Sequence, residues 1–216
     1  MSIYKEPILY SFKRCPYAMR ARMALKLGNI KCELREVKLS NKPEHMIKIS
    51  PKATVPVLMA DGIVIEESID IINWAIKKKN IFKNNISKKD ESLTEKIIKL
   101  FDTEFKYHLD RYKYSSRYDN SKRNYHRDMC ISLLLKIELL VSKRHWFFGK
   151  NINKIDISIL PFIRQFRVAD PDYFDQHKKI VNIKNYLNNF LNSSLYHQIM
   201  HKYEAWTESS EVVYFP

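Results

Sequence analysis

Glycine is the scarcest punctuation in this chain, with only 3 in 216 residues. That excludes glycine-rich phosphate loops and leaves little room for flexible linkers. Cysteine is equally sparse. Cys15, Cys32 and Cys130 form no C-x-x-C pair, which argues against a disulfide framework and a zinc site and suits a reducing cytoplasm. The histidines make no metal constellation either: His197 and His201 stand four apart with no neighbouring acidic ligand. No segment approaches the roughly 18 consecutive apolar residues of a membrane span. Met1–Glu6 also lack the apolar stretch of a secretory signal. Neither a metal nor a membrane is therefore expected.

Acidic residues are outnumbered, 24 against 38 Lys and Arg, for a net charge of +14. The excess is evenly spread. Residues 1–79 carry 15 basic against 8 acidic side chains, and residues 80–216 carry 23 against 16. With no isolated basic tail, the charge reads as a solvated lysine-rich surface that attracts small anions, and no dedicated nucleic-acid site is expected. Apolar types make up 45%, enough to fill a folded core.

The first third alternates strands and helices. Ile8–Phe12 reads as a strand, Tyr17–Leu27 as a helix with Pro16 in its first turn and Gly28 just past its last. Cys32–Val37 reads as a second strand and Pro43–Ile49 as a short helix. Val55–Met59 and Ile63–Ile65 flank Asp61-Gly62 as a hairpin, and Glu67–Lys78 repeats apolar residues on one helix face. The order βαβα then ββα predicts parallel strands first and an antiparallel hairpin at the edge. Residues 80–90, rich in Lys and Asn, read as a linker, so residues 1–79 form an α/β domain and residues 91–216 an all-helical one. Helices are predicted near Leu93–Tyr114, Ser121–Lys143, Lys154–Phe166, Ile180–Phe190 and Ser194–Tyr203. Asn153 with Asp156 three residues later specifies a capped start for the apolar segment Ile157–Ile163.

Cys15 stands where the first strand hands over to the helix opened by Pro16. Exposed N–H groups and the positive helix end favour thiolate over thiol there, and Lys13 and Arg14 add positive charge with no acid between Pro7 and Leu27. The competing reading is a buried, inert cysteine. Ala18 occupies the place of a resolving thiol, so a disulfide at Cys15 must be opened by an external one. Pro56, inside a strand-like run, is either a strand start or a cis turn; a cis bond would leave the Val55 backbone open to an extended peptide. Glu67 and Ser68 begin a helix whose N–H groups attract a carboxylate, or simply cap it. Residues 106–127 interleave seven Lys/Arg with five Tyr, compatible with stacking on nucleic acid or with an amphipathic helix with a solvated basic face. Tyr107, Arg111 and Tyr114 share one helix face there.

The stretches Ser11-Phe12-Lys13-Arg14-Cys15-Pro16-Tyr17-Ala18, Val55-Pro56-Val57-Leu58 and Glu66-Glu67-Ser68 resemble the N-terminal domain of the glutathione transferases. Within them the closest likeness is to the omega-like, cysteine-type branch, including bacterial relatives. The capped segment Asn153–Phe166 is similar to the family's central helix. The resemblance implies a thioredoxin-like N-terminal domain followed by an all-α domain, with glutathione as co-substrate and a homodimer. It implies that Cys15 is catalytic, that Val55, Pro56, Glu67, Ser68 and Lys42 hold glutathione, and that Tyr17, Tyr107, Arg111 and Tyr114 wall a second-substrate pocket. The expected activity is thiol transfer or reduction through a Cys15–glutathione mixed disulfide. Glutathione conjugation to an electrophile and a non-enzymatic interaction protein are the alternatives.

Overall fold

A computed structural model describes residues 6–82, 87–141, 143 and 145–216. The chain divides into two compact units, Met1–Lys83 with Ser194–Pro216, and Asn84–Ser193.

The first unit is built on a five-stranded sheet. Strand β1 (Ile8–Ser11) leads into helix α1 (Pro16–Leu27), then β2 (Cys32–Glu36), α2 (Glu44–Ile49), β3 (Val57–Ala60), β4 (Ile63–Ile65) and α3 (Ser68–Lys79). β1 runs parallel to β2 and antiparallel to β3, and β4 pairs antiparallel with β3, as the pattern predicts. Asp61 and Gly62 both have positive φ, 51° and 79°, the geometry a tight hairpin needs and a D-G pair supplies. Because successive strand residues face opposite sides, Ile8, Tyr10 and Val57 cluster with Met46 of α2. Ser11 instead meets Arg22 of α1. Helices α1 and α3 pack together, and α1 is buried on nearly every side. Gly28 does cap α1, though with an ordinary φ of −80°. A Cβ there would lie 2.9 Å from the terminal methyl of Ile30, which would have to shift to admit it.

The second unit is helical throughout its regular structure. It comprises α4 (Lys88–Leu100), α5 (Lys106–Lys113), α6 (Arg123–Glu138), α7 (Lys154–Ala169), α8 (Pro171–Gln176) and α9 (Val181–Leu191). A single wide π-helical turn, Phe101–Phe105, joins α4 to α5 and places Phe101 and Phe105 in a stack at 4.6 Å. Phe162 and Phe166 of α7 meet them edge-on.

Three expectations need correction. The linker of residues 80–90 is too long. Ser87 accepts the Asp90 N–H at 3.1 Å and starts α4 at Lys88, and the acids Asp90 and Glu91 suit a helix N-terminus. Residues 83–86 of that linker lie outside the described residues, as does residue 142 in the expected helix 121–143. The short α8 was not anticipated, although Asp170-Pro171 is a cap followed by a first-turn proline. The third correction is the largest. Residues 194–216, assigned to the helical half, belong to the first unit. There α10 (Ser194–Ile199) packs on α1, and the two-residue strand β5 (Tyr214–Phe215) pairs antiparallel with β2, extending the sheet to the order β4-β3-β1-β2-β5.

Candidate active site

Cys15 caps α1. Its carbonyl accepts the Met19 N–H at 3.0 Å while its own N–H closes a turn onto the Phe12 carbonyl at 2.9 Å. Its side chain makes no cap bond, and Pro16 is the first helical residue. The thiol, half-buried, donates instead to the Val55 carbonyl at 3.5 Å. The Val55–Pro56 bond is cis, and both residues are buried. The nucleophile candidate and the peptide-binding candidate are therefore one local structure, assembled from residues forty positions apart. Cys32 and Cys130 are free and buried, and no cysteine lies near Cys15 in sequence to resolve a disulfide.

The family described as the glutathione S-transferase N-terminal domain matches residues 9–81. Residues 9–81 are thus similar to a glutathione S-transferase N-terminal domain. Among curated relatives, mouse glutathione S-transferase omega-1 is 34% identical over 85 residues, covering 38% of this chain and 35% of the mouse protein. The chain thus spans about a third of that relative's length. A probable glutathione S-transferase DHAR1, cytosolic, from Oryza sativa subsp. japonica is 28% identical over 161 residues, covering 72% of this chain and 68% of its own. Among solved structures, a glutathione transferase family member from Pseudomonas fluorescens, crystallised with two glutathione bound, superposes with a TM-score of 0.77. It does so at 16% identity, over 93% of this chain and 94% of its own. With the helical second unit, the protein has the thioredoxin-like plus all-α architecture of glutathione transferases.

Within this transferase-type domain, the other candidate residues fall into distinct settings. Ser68 opens α3, is buried, and its hydroxyl oxygen accepts from Arg20 at 3.3 Å. Arg20 in turn lies over the ring of Tyr17, 5.4 Å from its centroid. Glu67 is the uncapped N-cap of α3 and points outward, where Lys52 pairs with it at 2.8 Å. Lys42 is half-buried between β2 and α2.

In the second unit Arg111 lies 3.5 Å from the ring centroid of Tyr107 and 4.7 Å from that of Tyr118. Arg111 is shared by Tyr107 and Tyr118, whereas Tyr114 ends α5 and is met by Lys113 and Arg117. Basic and aromatic side chains of this stretch thus cover one another. Among the described residues no group of three or more His, Cys, Asp or Glu is arranged to hold a metal ion.

Sequence reasoning missed two buried networks beside Cys15. In one, Arg22 bonds Ser11, Glu36 and the Ile199 carbonyl. In the other, Arg35 donates to the Tyr10 hydroxyl at 2.6 Å, and that hydroxyl lies 2.6 Å from Nδ1 of His45. A guanidinium can only donate, so the tyrosine oxygen accepts from Arg35, and the direction of the Tyr10–His45 bond follows the imidazole tautomer. Burial, then Arg35 and Lys48, hold the His45 pKa below its ordinary value. The one legible signal was the pair Arg20 and Arg22 in the middle of a helix with no acid nearby in sequence.

Proposed function

We propose that the protein is a glutathione-dependent thiol transferase with Cys15 as nucleophile, working in the cytoplasm as a homodimer. The observation that carries this reading is the junction of Cys15 with Val55. A cysteine at an open helix N-terminus sits against the backbone of a cis X-Pro pair, with Ala18 in place of a second thiol. Cys15 thiolate attacks the glutathione sulfur of a mixed disulfide. The old S–S bond breaks, the substrate thiolate leaves and takes a proton, and Cys15 carries the glutathionyl group. A second glutathione thiolate then attacks that adduct, releasing glutathione disulfide and regenerating Cys15.

Glutathione lies along the Val55-Pro56 backbone as an added strand. Its γ-glutamyl end meets Glu67 and Ser68, and its glycyl carboxylate meets Lys42. The Arg20 contact supports the role of Ser68, because a hydroxyl oxygen that already accepts has its proton free to donate to a carboxylate. Tyr17 in the first unit, and Tyr107, Arg111 and Tyr114 in the second, are each candidates for contact with the second substrate.

Mass spectrometry after exposure to glutathione disulfide should find one glutathionyl group, on Cys15, and steady-state kinetics should be ping-pong. Cys15→Ala should lower thiol transfer by about a thousandfold or more. Cys15→Ser should keep or raise weak conjugation to a chloroaryl substrate. Brisk conjugation by the wild type, together with disulfide reduction by Cys15→Ala, would overturn the mechanism.

A further inference from the structure

The segment from Ser11 to Cys15 joins the end of β1 to the start of α1, so its backbone sets where the Cys15 sulfur lies. Two hydrogen bonds define its path. The Cys15 N–H closes the Phe12–Cys15 turn at 2.9 Å, and the Lys13 N–H in the middle of that turn donates to Glu36 Oε1 at 2.8 Å. Glu36 is the last residue of β2, and its side chain is only 10% exposed.

Its second carboxylate oxygen is held by Arg22 of α1, whose side chain is fully buried. Arg22 in turn donates to Ser11 Oγ at 2.8 Å and to the Ile199 carbonyl at 3.0 Å. The Glu36 carbonyl accepts the Trp206 N–H at 2.8 Å. One ion pair therefore gathers the end of β1, the Cys15 turn, the end of β2, α1 and the returning C-terminal segment.

A buried ion pair is a poor way to gain stability, since desolvation offsets most of the attraction. It is a good way to fix geometry: the Arg22 fork is rigid and holds the carboxylate, and the carboxylate holds one chosen amide.

We infer that Glu36, clamped by Arg22, is a positioning residue for Cys15, acting through the Lys13 amide. The inference rests on the proposed role of Cys15 as nucleophile. A nucleophile displaced by even 1 Å loses rate, while groups that hold the remote parts of glutathione are untouched.

Two substitutions remove the tether from opposite ends. Glu36→Ala deletes the acceptor. Lys13→Pro deletes the donor and leaves the buried pair intact, at the second position of a turn where proline is favoured. Lys13→Pro is compared with Lys13→Ala, so that the side-chain charge is absent from both and only the amide differs.

The thiol-transfer kcat should fall about tenfold in Lys13→Pro relative to Lys13→Ala, and in Glu36→Ala relative to wild type. The KM for glutathione should stay within about twofold. Alkylation of Cys15 by iodoacetamide, which needs no glutathione, should slow in the same order. Equal kcat and equal alkylation in Lys13→Pro and Lys13→Ala would overturn the inference, and this pair decides alone if Glu36→Ala fails to fold. A wild type that takes up no glutathione would instead sink the thiol-transfer reading, and the alkylation rates would still decide whether the tether positions the sulfur.

Discussion

Three identical thiols meet three environments in this protein. Cys32, on the second strand of the sheet, is fully buried, and burial pushes its pKa up to about 12 despite the nearby Arg22. Cys130, inside a helix of the second unit, is raised further by burial and by Asp110. Neither can supply thiolate at neutral pH, and reactivity follows the thiolate. Cys15 alone is partly exposed, at the N-terminus of α1, where a reagent can reach the sulfur. Iodoacetamide at neutral pH should therefore label the native protein once, and peptide mapping should place the label on Cys15. Cys32 and Cys130 should react only after denaturation. Native labelling of either would contradict the burial argument.

At the scale of elements, the start of α7 is the most fully specified feature. Asn153 accepts the Ile155 N–H at 3.1 Å, and Asp156 returns the bond by accepting the Asn153 N–H at 2.7 Å. The same carboxylate accepts the Phe147 N–H at 2.8 Å and the Tyr186 hydroxyl at 2.6 Å, so one residue fastens α7 to a loop and to α9.

Complete burial raises the Asp156 pKa to about 6, even though those hydrogen bonds oppose the shift. The sign follows. Between about pH 4 and about pH 6 the folded chain keeps a proton that the unfolded chain has lost, so this stabilisation is full at the acid end and disappears as pH rises through about 6. Urea unfolding of wild type and Asp156→Asn should show the wild-type advantage widening by up to about 3 kcal/mol as pH falls across that window. A gap that stays constant would mean Asp156 is ionised throughout. Asp156→Ala should cost about 3 kcal/mol or more at any pH, because it leaves three buried donors unpartnered.

At the scale of the molecule, the chain returns to its first unit after leaving it. Phe215 is buried opposite Cys32. Trp206 meets Tyr10 edge-on and lies 4.3 Å from the Arg35 guanidinium, and the Tyr203 ring faces Arg22. Deleting residues 201–216 should lower the unfolding free energy by about 2 kcal/mol or more, for the buried phenylalanine alone. Urea melts followed by circular dichroism would measure it, and an unchanged midpoint would show that the returning segment is only draped on the surface. No described helix is long and apolar enough to cross a membrane.

The amino-acid sequence by itself determined the local features. Period-2 and period-3.6 apolar patterns, Pro16 at a helix start, Asp61-Gly62 at a turn and the Asn153–Asp156 box each act over a few residues, and each has one stable local outcome. So the strand and helix order of residues 8–79, Cys15 at its cap and the cis candidate Val55-Pro56 were legible. The tertiary structure alone decided which distant groups share a contact: Arg22 with Glu36 and Ile199, Arg20 with Ser68, and β5 with β2. A two-residue strand carries too little pattern to read, and a buried arginine does not name its partner. Those pairings follow from the requirement that buried charges and strand edges be satisfied by whatever the fold brings alongside, a requirement that acts across the whole chain.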